Sequence, residues 1–520
     1  MQHLDQLYTD RKKKFEDSLK SVNQSLSFLS AVRLFTALIF LFIFWLGFSY
    51  PEYFYALPAI ASVFIYLVNR YFRLFHESEL LQNLIKLNNL EINALKHEFS
   101  EFKSGERFLN PHHPYSYDLD LFGEGSLFQY LNRCGTELGE ERLASLLLTP
   151  QSDKHSVEYR QEAIKDCGEK IDFRQNFWAN ASLVKNGVSE KTELLNWLED
   201  TNFIEGKKLY SIILVLFPLI TISLLVMTII GTGWFPALFL AFIIQLSIAG
   251  YYSKRVKKIQ MALGKHKPMM EKYAVLLQLV AQQDFKSEFL IALKKESSRA
   301  FMHIKKFAGL VNALESRMNP IASLFGNSFF IYDLQCIKRL EQWRNLHGQK
   351  LSGWIDMAAE ADAVCSISTF HFNNRDYAFP VIEETLGIKA LDLGHPLIPQ
   401  TKRVTNDFKQ GDPQTILIVT GANMAGKSTF LRSVGINIVL ALAGAPVCAK
   451  KFSCPVIGLR SGMRTSDSLQ ENQSYFFAEL YRLQSIMQDL RHGKPLLILL
   501  DEILKGTNST DKQAGSIAMV

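Results

Sequence analysis

Cysteine is scarce in this sequence and never paired. The six thiols, Cys134, Cys167, Cys336, Cys365, Cys448 and Cys454, fall at irregular spacings across 520 residues. Even Cys448 and Cys454 stand too far apart for a C-x-x-C metal or redox pair. A cysteine-ligated metal domain and a disulfide-stapled secreted domain are therefore excluded as starting points, and scattered thiols suit the cytoplasm. Low-complexity tracts are missing, as are internal repeats apart from two apolar hairpins. The net charge of +6 is modest. Much of it is Lys and Arg beside the apolar runs, so charge alone says little about nucleic acid.

Charge is itself absent from long stretches. Leu34 to Tyr50 and Tyr53 to Asn69 carry no charged side chain, with Pro51-Glu52 between them; Leu209 to Ser253 is uncharged throughout, with a turn expected at Gly231-Thr232-Gly233. Each half approaches the ~20 residues needed to cross a bilayer, so the pattern predicts two helical hairpins and four spans, about 34–50, 53–69, 209–230 and 234–252. Trp45, Tyr50, Tyr53, Trp234, Tyr251 and Tyr252 lie near the span ends, where interfacial aromatics belong. Arg11, Lys12, Lys13, Lys14 and Arg33 precede the first hairpin and Arg70 and Arg73 follow it. Lys207 and Lys208 precede the second, and Lys254, Arg255, Lys257 and Lys258 follow. Neither hairpin loop carries Lys or Arg, which predicts a multi-pass protein of the cytoplasmic (inner) membrane with both termini inside. The polar N-terminal thirty residues lack a small-residue cleavage site and read as part of an anchor, not a removable signal.

Five segments follow from these shifts. Residues 1–74 hold an N-terminal segment and the first hairpin, 75–208 a first helical part, 209–253 the second hairpin, 254–378 a second helical part and 379–520 a strand-containing α/β domain. Ser78 to about Lys103 reads as one long helix, with Leu80, Leu81, Leu84, Ile85, Leu87, Leu90, Ile92 and Leu95 at helical spacing. Asp118 to Pro150 reads as a small helical unit that Val157 to Val184 continues. Lys- and Glu-rich helices follow from Ile259 to about Met318, and more helix from Phe325 to Phe370. Near Phe379-Pro380 Gly, Pro and Asp multiply and strand-like runs begin.

The last segment carries the chemistry. The apolar run Thr415 to Thr420 reads as a strand and leads into Gly421-Ala422-Asn423-Met424-Ala425-Gly426-Lys427-Ser428-Thr429. The spacing G-x-x-x-x-G-K-S lets backbone N–H groups wrap the phosphates of ATP, while the Lys427 ammonium reaches the β/γ oxygens and the Ser428 hydroxyl ligates Mg²⁺. A helix starting near Lys427 adds the positive end of its dipole. Downstream, Leu496 to Leu500 reads as a fully buried parallel strand ending in Asp501-Glu502, where a P-loop fold places an Mg²⁺-linked carboxylate and a water-activating carboxylate.

Between these motifs lies Asp467-Ser468-Leu469-Gln470-Glu471-Asn472-Gln473-Ser474-Tyr475-Phe476-Phe477-Ala478-Glu479-Leu480. Together with His395-Pro396, Val404-Thr405-Asn406-Asp407, Asn423-Met424, Ala443 to Ala449, and Asp501-Glu502 followed by Gly506-Thr507, it resembles the ATPase domain of the MutS family over roughly Phe379 to Val520. Weaker similarity covers Leu127 to Pro150, Arg160 to Ile164 and Asp362 to Pro380. The resemblance implies an ABC-type P-loop ATPase following a mainly helical core, working as a homodimer with two composite sites. In that arrangement Ser474 approaches the γ-phosphate held by the opposite subunit, Asp501 supports the metal and Glu502 polarises water. It also implies DNA as a partner. Ala422 stands where the family usually has Pro, Ala425 where it has Gly, and Ile503 or Leu504 where Gly is usual. The resemblance further leads one to expect a strand and a dimerisation element beyond Val520, and an N-terminal mismatch-recognition domain that is missing here. Phe99-Ser100-Glu101 spells the Phe-x-Glu of mismatch readers, but inside a charged stretch without that domain.

The leading expectation is a membrane-anchored ATPase of MutS type that acts on DNA. The rival is a membrane mechano-ATPase or transporter-like protein acting on another partner. Its signature would be LSGGQ-like, which Leu459-Arg460-Ser461-Gly462-Met463 matches poorly, and the spans hold no ionisable pathway. A third is a nucleotide-gated scaffold without turnover.

Overall fold

A computed structural model of the chain describes residues 2–149, 151, 153–183, 188–199, 201–231, 233–410, 416–422, 424–463, 475–491, 493, 495–502, 513 and 517. Helix dominates. The first elements, α1 (Gln2–Gly47) and α2 (Leu57–Leu95), form an antiparallel hairpin closed by a 3₁₀ turn at Pro51–Ala56. Lys12 Nζ donates to Asn89 Oδ1 and Ser78 Oγ to Asn23 Oδ1, which sets the antiparallel register. At the far end of α1 polar side chains dock the hairpin on the body: Tyr8 Oη donates to Asn373 Oδ1 (2.7 Å), and Arg11 reaches Gln175 and Asp172.

The middle of the chain is a helical body. It comprises α3 (Leu127–Leu131), α4 (Glu137–Leu148), α5 (Lys154–Gly168), α6 (Ile171–Ala181), α7 (Val188–Leu198), α8 (Lys208–Ile229), α9 (Phe235–Gln282), α10 (Glu288–Glu315), α11 (Pro320–Phe330) and α12 (Tyr332–Asn373). One core packs Phe177, Leu194, Met270, Tyr273, Leu277, Ile304, Phe307, Leu340 and Ile355 from five of these helices. Buried Asp362 on α12 accepts from the Gly135 and Thr136 N–H groups and the Thr136 hydroxyl. The same Thr136 hydroxyl caps α4 by accepting from Gly139 N–H.

Among the described residues four helices, α1, α2, α8 and α9, are long and apolar enough to cross a membrane. Their most apolar stretches are only 11%, 6%, 17% and 17% buried. The helices outrun the expected spans: α1 begins at Gln2 and α9 continues to Gln282. Lys254 to Lys258 are good helix formers, and beyond them Leu263, Met270 and Leu277 enter the helical core, so nothing ends α9 at the apolar boundary. Two other expectations are corrected. The helix expected to about Lys103 stops at Leu95, where His97 takes a positive φ of 64°. The unit expected from Asp118 starts only at Leu127, because residues 114–126 form turns.

The C-terminal region has β1 (Val381–Glu383), β2 (Ile388–Leu393), β3 (Asn406–Gln410), α13 (Lys427–Leu442), β4 (Lys451–Pro455), β5 (Gly458–Gly462), α14 (Tyr475–Arg491) and β6 (Leu496–Leu500). Strands order as β1-β4-β2-β3 in one mixed sheet, and β5-β6 form a separate parallel pair. The larger α/β sheet expected of a P-loop domain is not present among the described residues. Ile416 to Thr420, expected as a strand, has no ladder partner, and Ile416, Leu417 and Ile418 are exposed. Apolar sequence makes a strand only where a neighbour takes its N–H and C=O groups, and β6 is paired with β5 alone. β6 is parallel as expected, but it buries one face, through Leu497 and Leu499, instead of two.

Candidate nucleotide site

The P-loop sequence meets its helix as the spacing predicts. Gly426 takes a left-handed φ of 85° as the N-cap of α13, a conformation only Gly adopts freely, and Ala425 N–H donates to Ala422 O (3.2 Å) in the turn before it. Met424, wholly exposed at the tip, also has a positive φ of 65°. Lys427 Nζ folds back over the loop and donates to Gly421 O (2.7 Å) and Ala422 O (2.9 Å). Its ammonium thus lies at the loop that precedes α13, whose first-turn N–H groups the helix cannot satisfy internally. Ser428 is half-buried and Thr429 exposed on that turn. Asn423 and Ser474 lie outside the described residues, as do residues 464–473, so the signature segment is described only from Tyr475 onward.

Behind the loop, α13 is driven into the second core and every residue from Ser433 to Leu442 is buried. Gly435 marks the closest approach. A Cβ there would stand 2.7 Å from Leu119 Cδ2 and 2.8 Å from Leu499 Cδ1. The loop helix is thereby pressed against β6, the strand whose end carries the second motif. Past Leu500, Asp501 N–H donates to Gly462 O at the end of β5 (3.0 Å), and Glu502 follows with a φ of 48°. A bulky acidic residue in that region is strained, and it turns the chain sharply at the strand end.

Two quoted motifs prove to be scaffold. Buried Asn437 on α13 donates to Gly394 O (2.9 Å) and accepts from Cys448 N–H (2.7 Å), which ties together the His395-Pro396 and Ala443 to Ala449 segments. His395 is buried; burial, then the Arg432 guanidinium, pushes its pKa down to about 4 against an opposing pull from Asp120. It is neutral at physiological pH. Phe99 packs on Tyr130 at 5.0 Å between ring centroids, as a structural aromatic. A cavity of about 500 Å³ lined by His97, Arg133, Tyr377 and Arg403 includes none of the P-loop residues.

Sequence reasoning missed the element that holds the site together. Pro114 to Phe122, far upstream, threads between the pieces. Pro114 O accepts from Ser461 N–H on β5 (3.0 Å), and Asp120 accepts from Arg432 on α13 (3.2 Å). Asp118, wholly buried, accepts from Met463 N–H (3.1 Å) and pairs with Arg482 on α14 at 3.0 Å. Both flanks of the signature segment are therefore pinned to one carboxylate. Arg460 Nε adds a bond from β5 to Asp489 on α14 (2.6 Å). The signal was available in the alternation Asp118-Leu119-Asp120-Leu121, which places two carboxylates inside an apolar frame.

Comparison with known proteins matches this region. Residues 417–520 fit the family described as MutS domain V. The DNA mismatch repair protein MutS of Chlorobium chlorochromatii (strain CaD3) is 34% identical over 161 residues, 30% of this chain and 18% of that protein. The protein of the same name from Desulfovibrio desulfuricans (strain ATCC 27774 / DSM 6949 / MB) is 32% identical over 188 residues, 36% of this chain and 18% of its own length. That of Halalkalibacterium halodurans is 30% identical over 175 residues, 33% of this chain and 20% of its own. Through this C-terminal region the chain carries a match to MutS domain V and is similar to these MutS proteins. It spans about a fifth of the length of these relatives.

Proposed function

We propose that this chain is a membrane-anchored ATPase of the MutS type, with an ABC-type nucleotide site shared between two copies and DNA as the partner its ATP cycle controls. The observation that carries the reading is the packing of α13 on β6 at Gly435, which brings the phosphate loop and the Asp501-Glu502 strand into one core. The residues fit Mg·ATP: a left-handed glycine cap, a lysine ammonium at the loop mouth, a helix N-terminus and a carboxylate at a neighbouring strand end. In this reading Gly421, Ala422, Asn423, Met424, Ala425, Gly426 and Thr429 wrap the phosphates through their backbone. Lys427 neutralises the β/γ oxygens, and Ser428 and Asp501 hold Mg²⁺, which would offset charge building on the transferred phosphoryl group. Glu502 orients a water and accepts its proton. Ser474, at the start of α14, serves the γ-phosphate of the other subunit.

The relatives' names, DNA mismatch repair protein, support DNA as the partner. The exposed apolar lengths of α1, α2, α8 and α9 support an anchor in the cytoplasmic membrane, with the basic flanks keeping the ATPase region inside. The test uses the full chain in lipid vesicles. Lys427→Ala should weaken ATP binding about 10- to 100-fold, the worth of a charge-assisted contact. Glu502→Gln should keep binding and lose about 100-fold or more in turnover. A wild-type chain that binds no ATP, or a Lys427→Ala chain that binds it equally well, would sink the ATPase reading. Duplex or branched DNA should bind with an affinity that falls steeply with salt, and no binding at low salt would remove the DNA partner.

A further inference from the structure

Beyond the four long apolar helices and the buried uncharged run from Ser433 to Ala449, the sequence holds a charge-free run from Met318 to Tyr332, bounded by Arg317 and Asp333. Fifteen residues are too few to cross a bilayer as a helix. The run forms α11 and the left-handed turn after it, and its placement is unlike that of a core helix. Met318, Ile321, Leu324, Phe325 and Phe330 are all exposed, at 73%, 69%, 54%, 59% and 43%.

The opposite side of α11 lies on the α8–α9 hairpin. The Phe329 ring meets Phe242 of α9 at 4.7 Å between centroids, and Gln335, just past the run, donates to Leu214 O of α8. At the other extreme Arg317 donates from Nη2 to Ser253 Oγ (3.1 Å), the last residue of the uncharged stretch, and from Nε to Asp333 Oδ2 (2.9 Å). Ser253 and Phe242 are eleven residues apart on one helix, a rise of ~16 Å, or about half the ~30 Å hydrocarbon thickness. The contacts of the segment thus run from the basic edge of the hairpin to its middle.

Its polar groups are satisfied internally, as such a depth requires. Asn327, buried, donates to Ser323 O (3.0 Å) and accepts from Asp333 N–H (3.0 Å), and Ser328 Oγ donates to Leu324 O (2.7 Å). Ile331 takes a φ of 48° with its N–H on Asn327 O (3.2 Å), so the chain reverses within one residue. A β-branched residue in that region is strained, and the bond from its N–H to Asn327 O and those its C=O accepts from Leu334 and Gln335 N–H hold it there.

We propose that Met318–Tyr332 is a re-entrant membrane segment whose exposed apolar face lies among the acyl chains of the leaflet that α8 and α9 enter from the cytoplasmic side. The inference rests on the reading of those two helices as membrane-crossing. Helices α8, α9 and α11 pack on one another and each carries exposed apolar residues, and lipid is the partner that suits all three. α11 is then a wedge between the anchor and α12, which runs from this turn to Asn373 beside the ATPase region, so the ATP-driven part and the bilayer share one rigid helix.

The test places single nitroxide labels on the full chain in phosphatidylethanolamine–phosphatidylglycerol vesicles, at Ile321→Cys, Leu324→Cys and Phe325→Cys. The six native thiols are buried and stay out of reach. Phe239→Cys on α9 reports the hairpin and Leu346→Cys on α12 reports water; both positions are exposed. The expected result is that oxygen relaxes the α11 and Phe239 labels several-fold more strongly than a water-soluble nickel chelate does, with the reverse at Leu346. Aqueous α11 labels with a lipid-exposed Phe239 label would overturn this inference and leave the anchor standing. Aqueous labels at both would overturn both. Labels shielded from oxygen and nickel alike, broadened by a neighbouring label, would put a second copy of the chain on α11 and also overturn it.

Discussion

Helices α8 and α13 begin alike, with a lysine followed by a mostly apolar run, and end in opposite surroundings. From Ser433 onward α13 is buried all round, by Leu119, by β6 and by the loops that Asn437 ties down. In α8 only Leu214, Pro218 and Thr221 are buried, a narrow seam at i, i+4 and i+7 that faces α9. The rest of α8 is as apolar as the seam. Composition separates the two in part, since α8 is longer and uncharged after its lysine whereas α13 carries Arg432 and Asn437; what covers them completes the difference. Protein covers α13, and the described residues leave most of α8 uncovered, which is the difference expected between a core helix and the lipid-facing helix proposed for α8.

The contrast can be broken at its most tightly packed point first. Asp118→Ala removes the buried carboxylate that accepts from Met463 N–H and pairs with Arg482. A loss of about 3–5 kcal/mol is expected from chemical denaturation, with ATP turnover falling alongside. Asp120→Ala, at a half-exposed pair, should cost about 1 kcal/mol or less. A near-neutral Asp118→Ala would mean that the upstream segment does not hold the site.

Leu219→Asp probes the other side. The residue is exposed in the isolated chain, so in water the change would be close to neutral. In a bilayer it should cost about 2.5–3.5 kcal/mol, read as lost membrane insertion. Unchanged insertion would remove α8 from the membrane. A finer comparison sets two helical glycines side by side. Gly435→Ala drives a methyl into Leu119 and Leu499 and should destabilise by about 1–3 kcal/mol. Gly250→Ala on α9 meets open space and should be close to neutral. Equal effects at the two positions would contradict the difference in packing.

The smallest expected effect is a pH dependence. The folded pKa of His395, about 4, lies below its ordinary value, so the unfolded chain binds more protons between the two. Stability is full above about pH 6.5 and falls on acidification, by about 1 kcal/mol between pH 7 and pH 5.5. His395→Gln should flatten that slope. An unchanged slope would show that His395 is not held neutral.

Much of the site was legible because its chemistry is local. The left-handed Gly426 and the start of α13 at Lys427 depend on residues within one or two turns. Asp118 to Phe122 was misread as helical because its structure depends on partners more than 300 residues away, which no local periodicity records. The expected strand failed over Ile416 to Thr420 for the same reason: a strand is a pairing, and its run names no partner. α11 escaped notice because fifteen uncharged residues fit a core helix as well as a membrane one.

By itself the sequence determined the four apolar lengths, the basic flanks beside them, and the types of side chain at the phosphate loop and the acidic strand end, since each follows from which residues are neighbours in the chain. Only the tertiary structure decided that α13 is pressed against β6 at Gly435, that one buried aspartate from far upstream holds both flanks of the signature segment, and that α11 lies along α8 and α9 with an uncovered apolar face. Those are contacts between distant segments. Their energies come from what is excluded from water and what is left facing it, and that is settled when the chain packs.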